Sequence, residues 1–342
     1  MPAKLSLCMI AKNEASNIEA VLSDVSGFVD EYIIVDTGSV DGTTDLINKM
    51  GIKPHFFSWI DDFSAAKNYA REKATGDWIL FLDGDERISR EDLQVIRDEI
   101  EENTFDAFRI EKRSHVNDSE MLTYRENIGK YPELELDFLG YLSEPNDLLF
   151  RNKDDIKFFG IIHETIGGSL AEGKYKIKRL DGVAIHNYGR HDMSGKNDLY
   201  NRLIDKRLEA DDKDAGAWYY KGLNYDSTGY FEMAEECFEK ALDIGFSDGA
   251  IYALALSQFR VKNLIDAEKN FLKYLKTNPK EAQAWKNLLY IAYYKKDEFM
   301  FELHVESLKA NRMIKELSSY VAELYRKKDL IGLAEYYERQ YG

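Results

Sequence analysis

The feature that most constrains this chain is a spacing. Ala234, Ala267, Phe301 and Ala334 fall 33, 34 and 33 residues apart, each within a matching set of apolar positions. Counted from Gly222, offsets of 3, 12, 16 and 19 reach Tyr225, Ala234, Phe238 and Ala241. From Ala255 the same offsets reach Gln258, Ala267, Phe271 and Tyr274, and Pro279 follows. A third block holds Trp285, Leu288, Ala292, Phe301, Val305 and Leu308, and a fourth holds Val321, Ala322, Tyr325, Ala334 and Tyr341. A unit of this length cannot bury its apolar face alone, so neighbouring units stack into one continuous core. The spacing predicts helical repeats over 215–342, reached through a linker and first helix at 191–214.

With Trp218 opening its first unit, this pattern resembles the tetratricopeptide repeat, a pair of helices whose small residues allow close packing. That resemblance implies an array that binds peptides, forms dimers or braces a neighbour. A homo-oligomer built through the repeats is one expectation. The concave interior is expected to present Tyr219, Tyr220, Tyr252 and Tyr290.

Residues 1–190 follow a different grammar. Leu5–Ile10, Tyr32–Asp36 and Trp78–Leu82 are apolar runs of strand length, and Ala107–Ile110 is a fourth. Between them, Ala15–Phe28, Asp41–Met50 and Ser64–Ala74 carry apolar residues at helical spacing, the last following a cap at Asp62 or Ser64. Strands alternating with helices predict a mainly parallel α/β sheet, with ligands bound beyond the carboxyl ends of its strands. Asp36 and Asp83–Asp85 both fall at such ends.

Composition narrows the partners. The chain has 342 residues, with 62 acidic against 46 basic side chains and a net charge of −16. It lacks the basic excess that phosphate neutralisation on nucleic acid requires. Its two cysteines, Cys8 and Cys237, can form neither a disulfide framework nor a four-cysteine zinc site, and Cys8 reads as core. The N-terminal apolar run is too short for a signal peptide, and no run of about 18 apolar residues spans a membrane. A cytoplasmic protein is expected.

The chemistry concentrates in GDWILFLDGDERI, residues 76–88. An apolar strand delivers Asp83, Gly84 and Asp85 to its end. Two carboxylates flanking a glycine can face one hard cation while the backbone stays close to a phosphate. Mg²⁺ or Mn²⁺ held in this way would neutralise a diphosphate leaving group.

The order KNEASNI (12–18), IIVDTGSVDGT (33–43), FSAAKNYA (63–70) and ATGDWILFLDGDE (74–86) resembles the family 2 glycosyltransferases of the GT-A fold. The resemblance covers about residues 3–190 and is similar to the subtype that carries tetratricopeptide repeats, which includes bacterial peptide and protein glycosyltransferases. It implies an inverting, hexosyltransferase-type enzyme using a UDP-sugar donor and Mn²⁺ or Mg²⁺, acting on a hydroxyl or thiol of a peptide, protein or glycan. Ala11, Asn13 and Glu14 would wrap the base and ribose. Asp36 would accept from the uracil N3–H, although Thr37 stands where many members have a second acid. Lys67 and Asn68 match positions that approach the base or diphosphate, alongside Asp83 and Gly84. Asp85, with Asp83 and His186, would hold the metal.

Inversion by single displacement needs one carboxylate to take the acceptor's proton. Glu164, in IIHETIGG, resembles the catalytic segment of the repeat-bearing subtype, and Asp137 is the reserve. Lys112, Arg113 and His115 fall where acceptor loops lie in this fold, and Arg190 and His191 follow the His186 segment near the diphosphate. Two alternatives stay open. A nucleotidyltransferase shares the sheet and paired carboxylates, but AKNEASNI lacks the glycine-rich basic loop such enzymes carry. A non-catalytic, repeat-containing adaptor is the other.

Overall fold

The N-terminal apolar run becomes β1 (Leu5–Ala11), buried except at Ile10. The computed structural model describes residues 2–117, 124–189, 196–246 and 248–342, so Arg190 and His191 lie outside the described residues. The chain divides into two compact units, Met1–Leu203 and Ile204–Gly342.

In the first unit, β1 pairs in parallel with β2 (Glu31–Asp36), which pairs in parallel with the short β3 (His55–Phe56). On its other side β1 pairs in parallel with β4 (Trp78–Phe81). The connecting helices are α1 (Ile18–Val25), α2 (Thr43–Lys49) and α3 (Phe63–Lys73). α1 is shorter than expected because Ser26 is extended and Gly27 is left-handed at φ 83°. α3 starts at Asp62, whose carboxylate accepts from the Ala65 N–H at 2.9 Å. Alternation along β1 splits the core into two layers. Leu5, Leu7 and Met9 pack with Val21 and Leu22 of α1 and with Leu93 and Ile96 of α4 (Arg90–Glu102). Cys8 joins Phe81, Ala70 and Phe158 on the opposite face, where burial pushes its thiol pKa up.

The first four strands pair in parallel as expected. β5 (Glu86–Ile88), β6 (Ala107–Val116), β7 (Tyr124–Glu126), β8 (Gly140–Arg151) and β9 (Ile177–Asn187) complete a sheet of order β3-β2-β1-β4-β8-β6-β9-β5, with β7 on β8. β6 also pairs in parallel with β9, but the remaining pairings are antiparallel: β8 with β4, β6 and β7, and β5 with β9. Beyond the Ala107–Ile110 run, β6 and β8 carry charges and Pro145 rather than continuous apolar runs, so the rest of their length does not read as buried strand. Cross-strand pairing holds them instead, as in the two-pronged Arg109–Asp147 contact at 2.8 and 2.9 Å. Short helices α5 (Pro132–Glu135) and α6 (Gly167–Glu172) lie between these strands, and α7 (Lys196–Ala210) follows them.

The second unit contains four helix pairs: α8 (Ala215–Ser227) with α9 (Phe231–Ile244), α10 (Asp248–Arg260) with α11 (Leu264–Leu275), α12 (Ala282–Tyr294) with α13 (Glu298–Ala310), and α14 (Ile314–Lys327) with α15 (Ile331–Tyr341). Ala234, Ala267, Phe301 and Ala334 are each the fourth residue of the second helix, and each is fully buried. Every pair turns through one left-handed residue: Gly229, Lys262, Lys296 and Asp329. The next N–H in each turn bonds five residues back, at 2.8–2.9 Å, closing the same helix-ending motif. Tyr252, expected on a binding surface, is fully buried against Phe271 and Tyr274. Its place on α10 faces the core, whereas Tyr290 is 37% exposed.

Candidate active site

Because β1, β2 and β4 run parallel, their carboxyl ends open at one edge of the sheet. Two loops at this edge are stitched together. The Thr37 N–H donates to the Ala11 carbonyl at 3.0 Å, and the Asn13 N–H donates to Ser39 Oγ at 2.9 Å. In return the Val40 N–H donates to Asn13 Oδ1 at 2.9 Å, and the Glu14 N–H donates to Thr43 Oγ1 at 2.8 Å. The buried Asp36 carboxylate accepts from the N–H groups of Gly38 at 3.0 Å and Ser39 at 3.2 Å. Asn13 (φ 58°) and Asp36 therefore shape the loop that ends β2.

The acidic turn lies after β4. A Cβ on Gly84 would stand 2.5 Å from Glu14 Cγ, so glycine lets the turn pass under the Glu14 side chain. Two lysines face the turn from different elements. Lys67, on α3, is 5% exposed; its Nζ lies 3.1 Å from Asp83 Oδ1 and 2.7 Å from Glu164 Oε1. Burial acts to lower the Lys67 pKa, but the Asp83 and Glu164 charges outweigh it and the net shift is upward. Lys112, on β6, pairs with the buried Glu86 carboxylate and stands 3.7 Å from Asp83 Oδ2. Burial raises the Glu86 pKa, opposed by Lys112 and reinforced by Asp83 and Asp85. Glu86 Oε2 also accepts from the Asp83 N–H at 2.9 Å. Carboxylates this enclosed need such partners, since an unpaired buried charge is strongly destabilising.

Similarity to known proteins follows this division. A TPR repeat-containing protein of Synechococcus elongatus is 30% identical over 307 residues, covering 84% of this chain and 71% of that protein. A model of glycosyl transferase family 2 matches residues 6–165, and a tetratricopeptide repeat model matches residues 215–245. The chain belongs to the family 2 glycosyltransferases with tetratricopeptide repeats. The glycosyltransferase SunS of Bacillus phage SPbeta is 28% identical over 158 residues, which span 46% of this chain and 33% of SunS. An uncharacterized glycosyltransferase of Rickettsia felis is 37% identical over 98 residues, 29% of this chain and 33% of that protein. The crystal structure of S. aureus TarS 1–349 in complex with UDP-GlcNAc aligns with a TM-score of 0.43 at 16% identity, over 81% of this chain and 92% of TarS 1–349.

Within this glycosyltransferase domain the expected site residues separate into two groups. Asp83, Gly84, Asp85, Lys67 and Glu164 come together. His186 does not join them. On β9 it is Asn187 whose amide reaches Asp85 Oδ1 and Glu86 Oε1, each at 3.4 Å. His186, one residue earlier, points to the other face of the sheet and is fully buried. There its Nδ1 lies 2.9 Å from His115 Nε2, and its ring packs edge-on to Tyr131. Arg113 and His115 share that face, while Lys112 faces the acidic turn; all three lie in a strand rather than in an acceptor loop. Asn68 is also committed elsewhere. Its Nδ2 donates to the Phe158 carbonyl and its Oδ1 accepts from the Phe158 N–H, both at 2.9 Å, so it anchors that segment. Asp137 is exposed after α5, with no ion pair to the cluster among the described residues.

In this domain a divalent ion would have to bind at the turn itself, where Asp83 already faces Lys67 and Lys112. Asp83 and Asp85 offer hard oxygens of the kind that hold Mg²⁺ or Mn²⁺ when substrate phosphates and water complete the shell. Among the described residues no three acidic, cysteine or histidine side chains are placed to hold an ion together. Tyr200 of α7 was not legible as a site residue. Its ring meets Phe63 and His163 edge-on, each at 6.1 Å. Burial, with Asp83, Glu164 and Asp85 nearby, pushes its hydroxyl pKa up to about 12. No motif marks it, because Phe63 and His163, the rings it meets, lie far from it in sequence.

Proposed function

We propose that the chain is an inverting glycosyltransferase that moves a sugar from a UDP-sugar donor to a hydroxyl or thiol on a peptide, protein or glycan. The observation that carries this reading is the single Lys67 ammonium within 3.1 Å of both Asp83 and Glu164. It joins a carboxylate of the acidic turn to the carboxylate suited to take the acceptor's proton. In this reading Asp36 accepts from the uracil N3–H, while Asn13 and Glu14 border the base and ribose. Asp85 and Asp83 hold Mn²⁺ or Mg²⁺, which would offset charge on the diphosphate as it leaves. Glu164 takes the proton as the acceptor attacks, so a single displacement inverts the anomeric carbon. The exposed Asp137 is set aside as base. The repeats serve the acceptor or self-assembly, and a cytoplasmic location accords with this role. No helix among the described residues is long and apolar enough to cross a membrane.

The test is release of UDP from UDP-glucose and UDP-N-acetylglucosamine with Mn²⁺, with and without chelator. Glu164→Gln keeps shape but cannot accept the proton, and should lower turnover by about 10²–10⁴ with UDP affinity nearly unchanged. Full activity in excess chelator removes the metal from the reading. Full activity of Glu164→Gln removes the base.

A further inference from the structure

We infer that Lys67 is a positioning residue for Glu164 rather than a ligand of the donor. This rests on the reading of Glu164 as the base. A lysine ammonium has three donors and no acceptor. Two face Asp83 Oδ1 and Glu164 Oε1, and the Phe81 and Phe158 rings lie 4.9 and 5.6 Å from Nζ. With two donors on carboxylates, two rings beside it and only 7% of the side chain exposed, the ammonium has little surface left for a phosphate.

The segment carrying Glu164 needs such a hold. It is a short loop closed by Phe159 and Thr165, whose N–H groups donate to each other's carbonyls at 3.0 and 3.1 Å. Its bend passes through Gly160 at φ 101° and His163 at φ 53°, the latter a left-handed conformation disfavoured for a residue with a Cβ. Adjacent residues of α3 grip the loop at two points. Asn68 bonds both backbone groups of Phe158, and Lys67 takes the Glu164 carboxylate. Among the described residues, the charged or titratable groups placed near Glu164 include Lys67 from α3, Tyr200 from α7 and the neighbouring His163, with Asp83 sharing the same ammonium. Of these, Lys67 makes the charged contact that sets where the carboxylate points.

The experiment is a double-mutant cycle on the full chain: Lys67→Gln, Glu164→Gln and the pair together. The readouts are kcat and donor KM for UDP release from UDP-glucose or UDP-N-acetylglucosamine with Mn²⁺, and the UDP Kd by calorimetry. Misplacing the base by about an ångström should cut kcat about 10²-fold. Donor KM and the UDP Kd should stay within about twofold, and Lys67→Gln should add no loss once Glu164 is Gln, because it acts through that residue. A tenfold rise in the UDP Kd, or losses that multiply in the double variant, overturns the inference. Unchanged kcat in Glu164→Gln alone, or no donor cleavage by the unaltered chain, instead overturns the reading on which it rests. Should Lys67→Gln fail to fold, Lys67→Arg keeps the charge but moves it: a fall in kcat at constant KM supports the inference, and a rise in KM refutes it.

Discussion

Replacing Asp36 by asparagine should change which base the chain accepts. Both Asp36 oxygens already receive backbone N–H groups, from Gly38 at 3.0 Å and Ser39 at 3.2 Å, and the side chain is 5% exposed. A carboxylate accepts from these and still has lone pairs for a uracil N3–H. Asparagine has one oxygen and one NH₂. If the oxygen stays on the loop amides, the NH₂ faces the base and meets another donor. One unsatisfied buried donor costs about 1–3 kcal/mol. At 1.4 kcal/mol per tenfold, that is roughly a 5- to 150-fold weaker UDP Kd. Cytosine presents an acceptor at N3, so CDP should gain where UDP loses and the preference should narrow or reverse. Calorimetric titration of wild type and Asp36→Asn with UDP and CDP measures both. Native UDP affinity in the variant would refute the contact. An equal loss for both nucleotides would show that Asp36 only shapes the Gly38–Ser39 loop.

Burial, with His115 and then Arg113 nearby, pushes the His186 pKa from its ordinary 6.5 down to about 3. The unfolded chain then binds a proton the folded chain refuses, so this stability is present above about pH 6.5 and lost on acidification toward pH 3. At pH 5 the loss is about 2 kcal/mol, and His186→Gln should flatten that part of the pH dependence of urea unfolding. Lys112→Met leaves the buried Glu86 without its cation and should cost about 3–5 kcal/mol, with Glu86→Gln in the same chain recovering most of it in chemical denaturation. Lys262, Lys296 and Asp329 occupy the left-handed turn position that Gly229 fills in the first pair. Changing each to glycine relieves about 1–2 kcal/mol of backbone strain against about 0.5–1 of added unfolded-state entropy. The net gain should be about 0.5–1 kcal/mol per site, and a lower melting temperature for the triple variant would contradict it.

The sequence by itself determined the periodic parts of this protein. Four helix pairs follow from the 33- and 34-residue spacing, because a repeat records its packing contacts at fixed intervals along the chain. β1, β2 and β4 follow from apolar runs buried on both faces, and the acidic turn follows from the strand that ends in it. The tertiary structure decided what depends on partners far away in sequence. β8 reads as a polar, proline-containing stretch and becomes a strand only because β4 and β6 supply its hydrogen bonds. His186 and Asn187 are neighbours in sequence, yet strand alternation sends one to a buried histidine pair and the other to the acidic turn. A one-residue difference in facing is invisible until the register of β9 on β5 and β6 is set. Lys67 was legible as a helical lysine near a ligand site; that it bridges Asp83 and Glu164, 16 and 97 residues away, depends on three separate segments meeting at one ammonium.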